Sequence, residues 1–318
     1  MLGGSAGGGA KDGGMACAHG SATGGAHGGA GCGRPESGGA AGSPGGAGRR
    51  MASAACGLLG SRGIGGGMFC LEFGWSGPEP RAGQFFMIRP RRSGVFLGRP
   101  ISAAYWSMPA PGAPGSVGFV IAMRGKGTME LAGMAAGEEA DLLGPLGNAW
   151  ADLLPPAGSL GGRPVALIGG GAGLAPLIAL ARSSFGGERR EPGFGMAIHA
   201  GARTASQLAI LEKAPFPPES RGGAVATEDG SMGRKGRIPD FLEPEKYAAV
   251  CACGPEPMLK AVALKCAAAG TPCLVSLERR MACGVGACLG CSVKAAGGMR
   301  RCCADGPIFR AEEVSFDE

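Results

Sequence analysis

The residue types best suited to specific chemistry in this chain are cysteines near its C-terminal end. Cys283, Cys288 and Cys291 are spaced C-x4-C-x2-C, and a further pair, Cys302 and Cys303, stands downstream. This is the ligand spacing of plant-type [2Fe–2S] centres. Glycines fill the intervals because a loop wrapped around a cluster needs positive-φ turns and backbone N–H groups aimed at sulfur. A zinc knot and a group of inert buried thiols are the competing readings. Zinc sites usually come as two short Cys knuckles; here Cys288 and Cys291 form a single one, with no His nearby. Adjacent side chains in extended chain point opposite ways, so only one of Cys302 and Cys303 can comfortably face a cluster.

Two other segments carry residues suited to anionic cofactors. Gly98-Arg99-Pro100-Ile101-Ser102 follows Gly83-Gln84-Phe85-Phe86-Met87-Ile88 and precedes Gly125-Lys126-Gly127-Thr128. Arg99 offers a rigid fork of donors to a pyrophosphate, Ser102 a hydroxyl to a flavin edge, and the glycine turn a close approach to phosphate. The bland alternative is an edge-strand proline followed by a surface serine. The second segment is a buried run, Val165–Ile168, then Gly169-Gly170-Gly171-Ala172-Gly173-Leu174-Ala175-Pro176, then a helix-like Leu177–Arg182. Strand, glycine turn and helix start together make an anion site, with Pro176 suited to the first helical position. The spacing departs from G-x-G-x-x-G, so a merely tight strand-to-helix turn competes with dinucleotide binding. Cys253-Gly254-Pro255 sits where a parallel strand should end and a helix begin, which is where doubly wound sheets bind ligands. Cys253 also reads as a small buried strand-end residue.

The elements that must position these residues change character along the chain. The 318 residues allow two or three domains, and 45% hydrophobic content allows a real core. Residues 1–50 contain 20 glycines and almost no large apolar side chain, so they cannot offset their ordering entropy. They read as a disordered tail or a start-site artefact, since Met51 opens the first segment able to fold. Met68–Phe73, Phe85–Ile88, Ile101–Trp106 and Val117–Met123 are candidate strands of a small antiparallel barrel, closed by a turn at Gly144-Pro145-Leu146-Gly147. Strands then alternate with helices, with strands at Phe194–Ala200 and Ala248–Ala252 and a helix at Pro257–Ala269. The expected organisation is a tail over 1–55, a barrel over 56–158, a doubly wound α/β domain over 159–270, and a cluster domain over 271–318 that needs the metal as a staple.

No apolar leader is present, so the expected compartment is the cytoplasm, where the 13 cysteines stay reduced. Glycines and Pro176 interrupt the one apolar stretch that could suggest a membrane span. The net charge of +6 is spread thinly, without interleaved aromatics, which argues against nucleic-acid binding.

In order, these motifs resemble those of the electron-transfer subunits of NAD-linked dihydroorotate dehydrogenase, within the ferredoxin reductase superfamily. The resemblance covers roughly residues 68–313. It rests on GQFFMI, GRPIS, GKGT, GPLGN, IGGGAGLAP and ACGPEPM, and above all on SLERRMACGVGACLGC followed by CADGPIF. It implies an FAD-binding barrel, an NAD-binding α/β domain and a [2Fe–2S] domain. By motif, Arg99, Pro100, Ile101, Ser102, Gly127 and Thr128 would contact FAD, as would Val120, Ile121 and Ala122. The last three lack the aromatic and the arginine common in the family, and Arg124 is placed to substitute. Gly169, Gly170, Gly171, Gly173 and Pro176 would lie under the NAD pyrophosphate, and Cys253 and Gly254 near the nicotinamide. Cys283, Cys288, Cys291 and Cys303 would hold the cluster, Cys303 being chosen over Cys302 because the family's last ligand is followed by a single residue and then Asp-Gly-Pro. No acid–base catalytic residue is implied on this chain. The resemblance further implies a partner, the FMN-binding TIM-barrel catalytic subunit, in a heterotetramer of two plus two. Electrons from dihydroorotate would pass through [2Fe–2S] and FAD to NAD+, in pyrimidine biosynthesis. Two alternatives are the small flavin and iron–sulfur subunit of another NAD(P)H:ferredoxin-type oxidoreductase, and a non-enzymatic zinc-stapled adaptor.

Overall fold

In the barrel region, short β-prone runs are separated by glycine and proline turns, and a computed structural model describes residues 50–92, 94–185, 195–213 and 222–316. The tail expected over residues 1–50 falls outside this description apart from its last residue, as do Phe194 and the terminal Asp317 and Glu318. Six strands close into an antiparallel barrel: β1 (Ala52–Gly65), β2 (Met68–Gly74), β3 (Phe85–Pro90), β4 (Arg99–Ser107), β5 (Ser116–Ala122) and β6 (Glu139–Leu146), in the order β1-β2-β5-β4-β3-β6. Helix α1 (Lys126–Ala132) lies between β5 and β6. The β1–β2 hairpin turns at Gly66 and Gly67, with φ of +59° and +73°, values that favour glycine. Alternate inward residues fill the barrel. Phe86 meets Trp75 and Phe119 edge-on, with ring centroids 5.0 and 5.4 Å apart.

The second layer is a seven-stranded sheet. Its strands are β7 (Val165–Gly170), β8 (Met196–Ala202), β9 (Val225–Thr227), β10 (Arg234–Lys235), β11 (Ala249–Cys253) and β12 (Cys273–Ser276), all parallel, with a last strand added antiparallel to β12. Helix α2 (Leu174–Phe185) follows β7, the short α3 (Ile210–Lys213) follows β8, and α4 (Glu256–Ala269) follows β11. After β12 the chain forms the hairpin β13 (Ser292–Ala295) and β14 (Gly298–Arg301), then returns as β15 (Ile308–Arg310), the antiparallel strand. The order β10-β9-β8-β7-β11-β12-β15 reverses direction between β7 and β11, the switch point at which such sheets bind ligands.

Several sequence boundaries move. The tail placed to residue 55 overruns the first strand, because Ala52 to Ala55 already pair with Gly144 to Asp141 of β6. The piece from 271 onward is not separate from the α/β layer, since β12 and β15 extend that sheet. Gly144-Pro145-Leu146 is strand rather than turn, and the chain turns at Gly147 (φ +76°). The glycine turn at Gly125–Thr128 opens α1, whose Thr128 hydroxyl accepts from the Arg124 and Gly125 N–H groups. Pro176 is the third residue of α2, because the helix starts where the 3-10 turn Gly171–Gly173 ends.

The two layers share cores. Ile64, Cys70 and Val120 of the barrel pack with Leu174, Ala175 and Ile178 of α2. On the other side, Phe85, Met87 and Leu146 of the barrel join Cys291, Val293, Cys302, Cys303 and Phe309 in one buried cluster. Asn148, buried just after β6, fastens that second contact. Its N–H donates to the Gly306 carbonyl (2.7 Å), its Nδ2 to the Ile308 carbonyl (2.8 Å), and its Oδ1 accepts from the Ile308 N–H (3.0 Å). Gln84 supports the turn beneath, donating from Nε2 to the Gly147 carbonyl at 2.9 Å.

In the sheet, His199 of β8 is buried and edge-on to Tyr247. The Ala224 N–H donates to its Nδ1 (3.3 Å), so Nε2 carries the proton and donates to the Tyr247 hydroxyl at 2.8 Å. Burial, opposed weakly by the charge of Glu243, brings the imidazole down from 6.5 to about 4. The unfolded chain therefore binds the extra proton first. Stability held above pH ~6.5 is lost as pH falls toward ~4, by at most about 3 kcal/mol from this one group. Urea unfolding across that window should show the decline, and His199→Gln should remove that part of it; an unchanged slope in the variant would contradict the assignment.

Candidate functional site

The motif residues of the barrel and of the sheet meet at one cleft of about 600 Å³. One wall comes from β4 and β5: Arg99, Pro100, Ile101, Ser102, Val120, Ile121 and Ala122, with Arg124, Thr128 and Phe85 beside them. The other comes from the switch point, with Ala172, Gly173, Ala175 and Pro176 at the start of α2 and Cys253 at the end of β11. Arg99 is fixed by donating to the Leu97 carbonyl at 2.7 Å. Its guanidinium lies across Gly127, where any Cβ would overlap it, so Gly127 supports the arginine rather than facing the cleft.

Gly169, Gly170, Gly171 and Gly254 are not among the residues that line the cleft. A Cβ on Gly169 would overlap Leu174, and one on Gly173 would overlap the Cys253 carbonyl. A Cβ on Gly254 would lie 3.1 Å from the Gly170 nitrogen. The absence of side chains at Gly170, Gly173 and Gly254 lets the β7–α2 turn press against the end of β11, beside the cleft. The Cys253 thiol is pushed well above the ordinary range, chiefly by burial and then by the charge of Glu278. It is therefore a neutral, small group at the cleft wall.

A third contribution was not singled out from the sequence. Ser276, Leu277, Glu278, Arg279, Arg280, Met281 and Pro307 also line the cleft. Arg279 is held by Glu256, the first residue of α4, at 2.8 Å. The available signal was the SLERRM stretch, which runs from the end of β12 straight into Cys283.

The cysteine loop begins two residues beyond Met281. Gly284 (φ +72°) lies on Met87 and Leu146 of the barrel, where a side chain would not fit, and Leu289 takes φ +58°. The thiols stand in two pairs, Cys283 with Cys288 and Cys291 with Cys303. Among the described residues no three His, Cys, Asp or Glu side chains converge as around a single metal ion. Backbone N–H groups point at sulfur: Val285 to Cys283 (3.5 Å), Gly286 to Cys303 (3.1 Å) and Cys303 to Cys291 (3.4 Å). Burial raises the Cys283 thiol, but the N–H groups of Cys288, Val285 and Ala287 and the Cys288 thiol outweigh it and bring it to about 6. Burial, followed by the adjoining Cys291, pushes Cys303 up to about 12, so metal uptake there must displace a proton. Cys302 is fully buried and donates to the Leu277 carbonyl at 3.3 Å. Two thiol pairs with N–H donors around them fit a two-iron centre. The turn carrying Cys303 is held by Asp305, which accepts from the Arg301 N–H (2.7 Å), Nε (3.1 Å) and Nη2 (3.0 Å).

Comparison with known proteins agrees with this geometry. The family described as the iron-sulfur cluster binding domain of dihydroorotate dehydrogenase B matches residues 278–315. The dihydroorotate dehydrogenase B (NAD(+)) electron transfer subunit of Clostridium perfringens (strain 13 / Type A) is 38% identical over 235 residues, covering 74% of this chain and 87% of that one. The chain belongs to this family of electron transfer subunits. The Caldanaerobacter subterraneus subsp. tengcongensis electron transfer subunit is 34% identical over 265 residues, covering 81% and 97%. Among solved structures, a chain of the NADH-dependent reduced ferredoxin-NADP oxidoreductase has a TM-score of 0.69 and 31% identity, covering 83% of this chain and 91% of that one. As an electron transfer subunit this chain combines an iron–sulfur binding segment with a ferredoxin reductase-like barrel and nucleotide sheet, a fold that takes FAD and NAD.

Asp305→Ala removes three bonds from the Cys303 turn, one to a backbone N–H and two to a guanidinium. The variant should fold but release iron to a chelator severalfold faster than the parent; equal release rates would show that the carboxylate does not hold the site.

Proposed function

We propose that this chain carries electrons from the FMN-containing TIM-barrel catalytic subunit of dihydroorotate dehydrogenase to NAD+, in the cytoplasm, within a heterotetramer of two plus two. The reading is carried by one observation: the barrel motif, the nucleotide-sheet switch point and the segment leading into Cys283 all line a single cleft. Cys283, Cys288, Cys291 and Cys303 would hold the [2Fe–2S] cluster. Arg99, Pro100, Ile101 and Ser102, with Val120 to Ala122 and Thr128, would hold FAD. Gly173, Pro176 and Cys253 would border the nicotinamide, with Gly169 to Gly171 and Gly254 in the adjoining turns. When bound, flavin exchanges electron pairs with a nicotinamide and single electrons with an iron–sulfur centre, which is why one chain needs both.

What the chain's own residues contribute is placement and charge. Arg99, Arg124, Arg279 and Arg280 outnumber Glu278 around the cleft, which suits cofactors carrying pyrophosphate. Val120, Ile121 and Ala122 replace the aromatic and arginine common in the family with small apolar contacts, and Arg124 reaches the same cleft. Phe85, Ile101, Leu277 and Met281 give the cleft an apolar lining between its charged groups. No helix of the described residues is long and apolar enough to cross a membrane.

The likeness to the NADH-dependent reduced ferredoxin-NADP oxidoreductase chain favours one rival reading, in which ferredoxin rather than dihydroorotate feeds the chain. Reconstitution separates them. Dihydroorotate should reduce NAD+ only when this chain and the catalytic subunit are mixed, and reduced ferredoxin alone should not. Reduction driven by ferredoxin without the catalytic subunit, with dihydroorotate inert in the mixture, would replace the proposal by its rival.

A further inference from the structure

Of the five cysteines from Cys283 onward, one buried thiol is left over once four are given to the cluster. Cys302 is wholly buried in the core that joins the barrel to the cysteine loop, and its thiol makes a hydrogen bond to the main chain. Its main-chain N–H donates to the Cys291 carbonyl at 3.1 Å, and its neighbour Cys303 is paired with Cys291. Its thiol donates to the Leu277 carbonyl at 3.3 Å.

Leu277 matters because of where it stands. It lines the cleft, and its N–H donates to the carbonyl of Pro307, another cleft residue, at 2.9 Å. The β12–β15 ladder has its last register pair at Ser276 and Ile308. The Leu277 carbonyl therefore lies beyond the regular strand pairing, and the thiol supplies a donor to a buried acceptor that would otherwise be costly. A valine in place of Cys302 would fill the site, being somewhat larger, but could not make this bond. The consequence is a two-ended brace, with the cluster cysteines at the main-chain end and the cleft wall at the thiol end.

We propose that Cys302 is a positioning residue, whose S–H to Leu277 carbonyl bond ties the loop of Cys291 and Cys303 to the cleft wall and fixes the distance that single electrons cross. This rests on the function proposed above. It also accounts for the choice of Cys303 as the fourth thiol, because the neighbouring sulfur is committed elsewhere.

Two variants test the donor: Cys302→Ser keeps one in a smaller side chain, and Cys302→Val fills the site with an apolar side chain that has none. In the reconstituted complex, iron and sulfide are quantified. Dihydroorotate is then mixed with the complex in the absence of NAD+, so that it supplies the electrons that pass one at a time from the cluster to the oxidised flavin, and the rate of flavin reduction is followed optically. Cys302→Val should be severalfold slower and Cys302→Ser close to the parent, with iron retained in both. The infrared spectrum of the parent minus that of Cys302→Val should show a hydrogen-bonded S–H stretch, a readout independent of turnover. Equal rates in Val and parent would overturn the proposal. Iron loss in both variants would overturn it too, by making Cys302 a ligand, as would a missing S–H band. A parent chain that itself holds no iron or sulfide would instead remove the functional reading on which this rests.

Discussion

The structure depends on a glycine-lined seam that lets the cysteine loop lie directly on the barrel. The rate at which electrons pass between two centres depends on their separation, and here packed side chains and backbone fix how the cysteine loop sits against the barrel. Asn148 is the central fastening. A single buried amide satisfies both polar groups of Ile308, while its own N–H reaches Gly306. Removing it would leave buried donors and acceptors unpaired, at a cost of about 2–4 kcal/mol. Gly147 and Gly284 permit the same approach from either side, since a side chain on the first would press on Pro307 and one on the second on Met87. The barrel residues Phe85, Met87 and Leu146 then share one buried core with Cys291, Cys302 and Cys303.

From this seam the arrangement of the cleft follows. With β15 clamped to the barrel through Asn148, its partner strand β12 is brought alongside, and the segment that continues β12 forms the cleft's third side. Arg279, steadied by Glu256 of α4, links that side to the sheet's switch point. The cleft is thus built from three stretches distant in sequence, and each is pinned by contacts with the other two. A rigid frame of this kind suits an electron carrier, whose protein part contributes orientation and electrostatics while bound groups supply the redox chemistry.

The chemistry of the site was more legible in the sequence than its frame. The C-x4-C-x2-C spacing and the Arg99–Ser102 motif are local, because their geometry is set by neighbours a few residues away. Strand β1 was harder to see in full, since Ala52–Ala55 are small residues with little strand preference and are fixed by pairing with β6. The two-residue strand β10 has no periodicity to detect. Asn148 lies 160 positions from its partner Ile308, so neither residue carries a local sign of the clamp. The SLERRM stretch was noticed as a family motif, but its place in the cleft depends on how β12 pairs with β11 and β15. Cys302 against Cys303 was a question of direction. Spacing left it open, and the structure turns the Cys302 thiol toward Leu277.

The central claim is that four sulfurs of this chain hold two irons beside a bound flavin. It is tested most directly by purifying the chain anaerobically, recording its visible absorption, and quantifying iron, acid-labile sulfide and flavin in the same sample. The account predicts two irons, two sulfides and one FAD per chain, with overlapping flavin and iron–sulfur bands. Colourless protein containing zinc and no sulfide would contradict it.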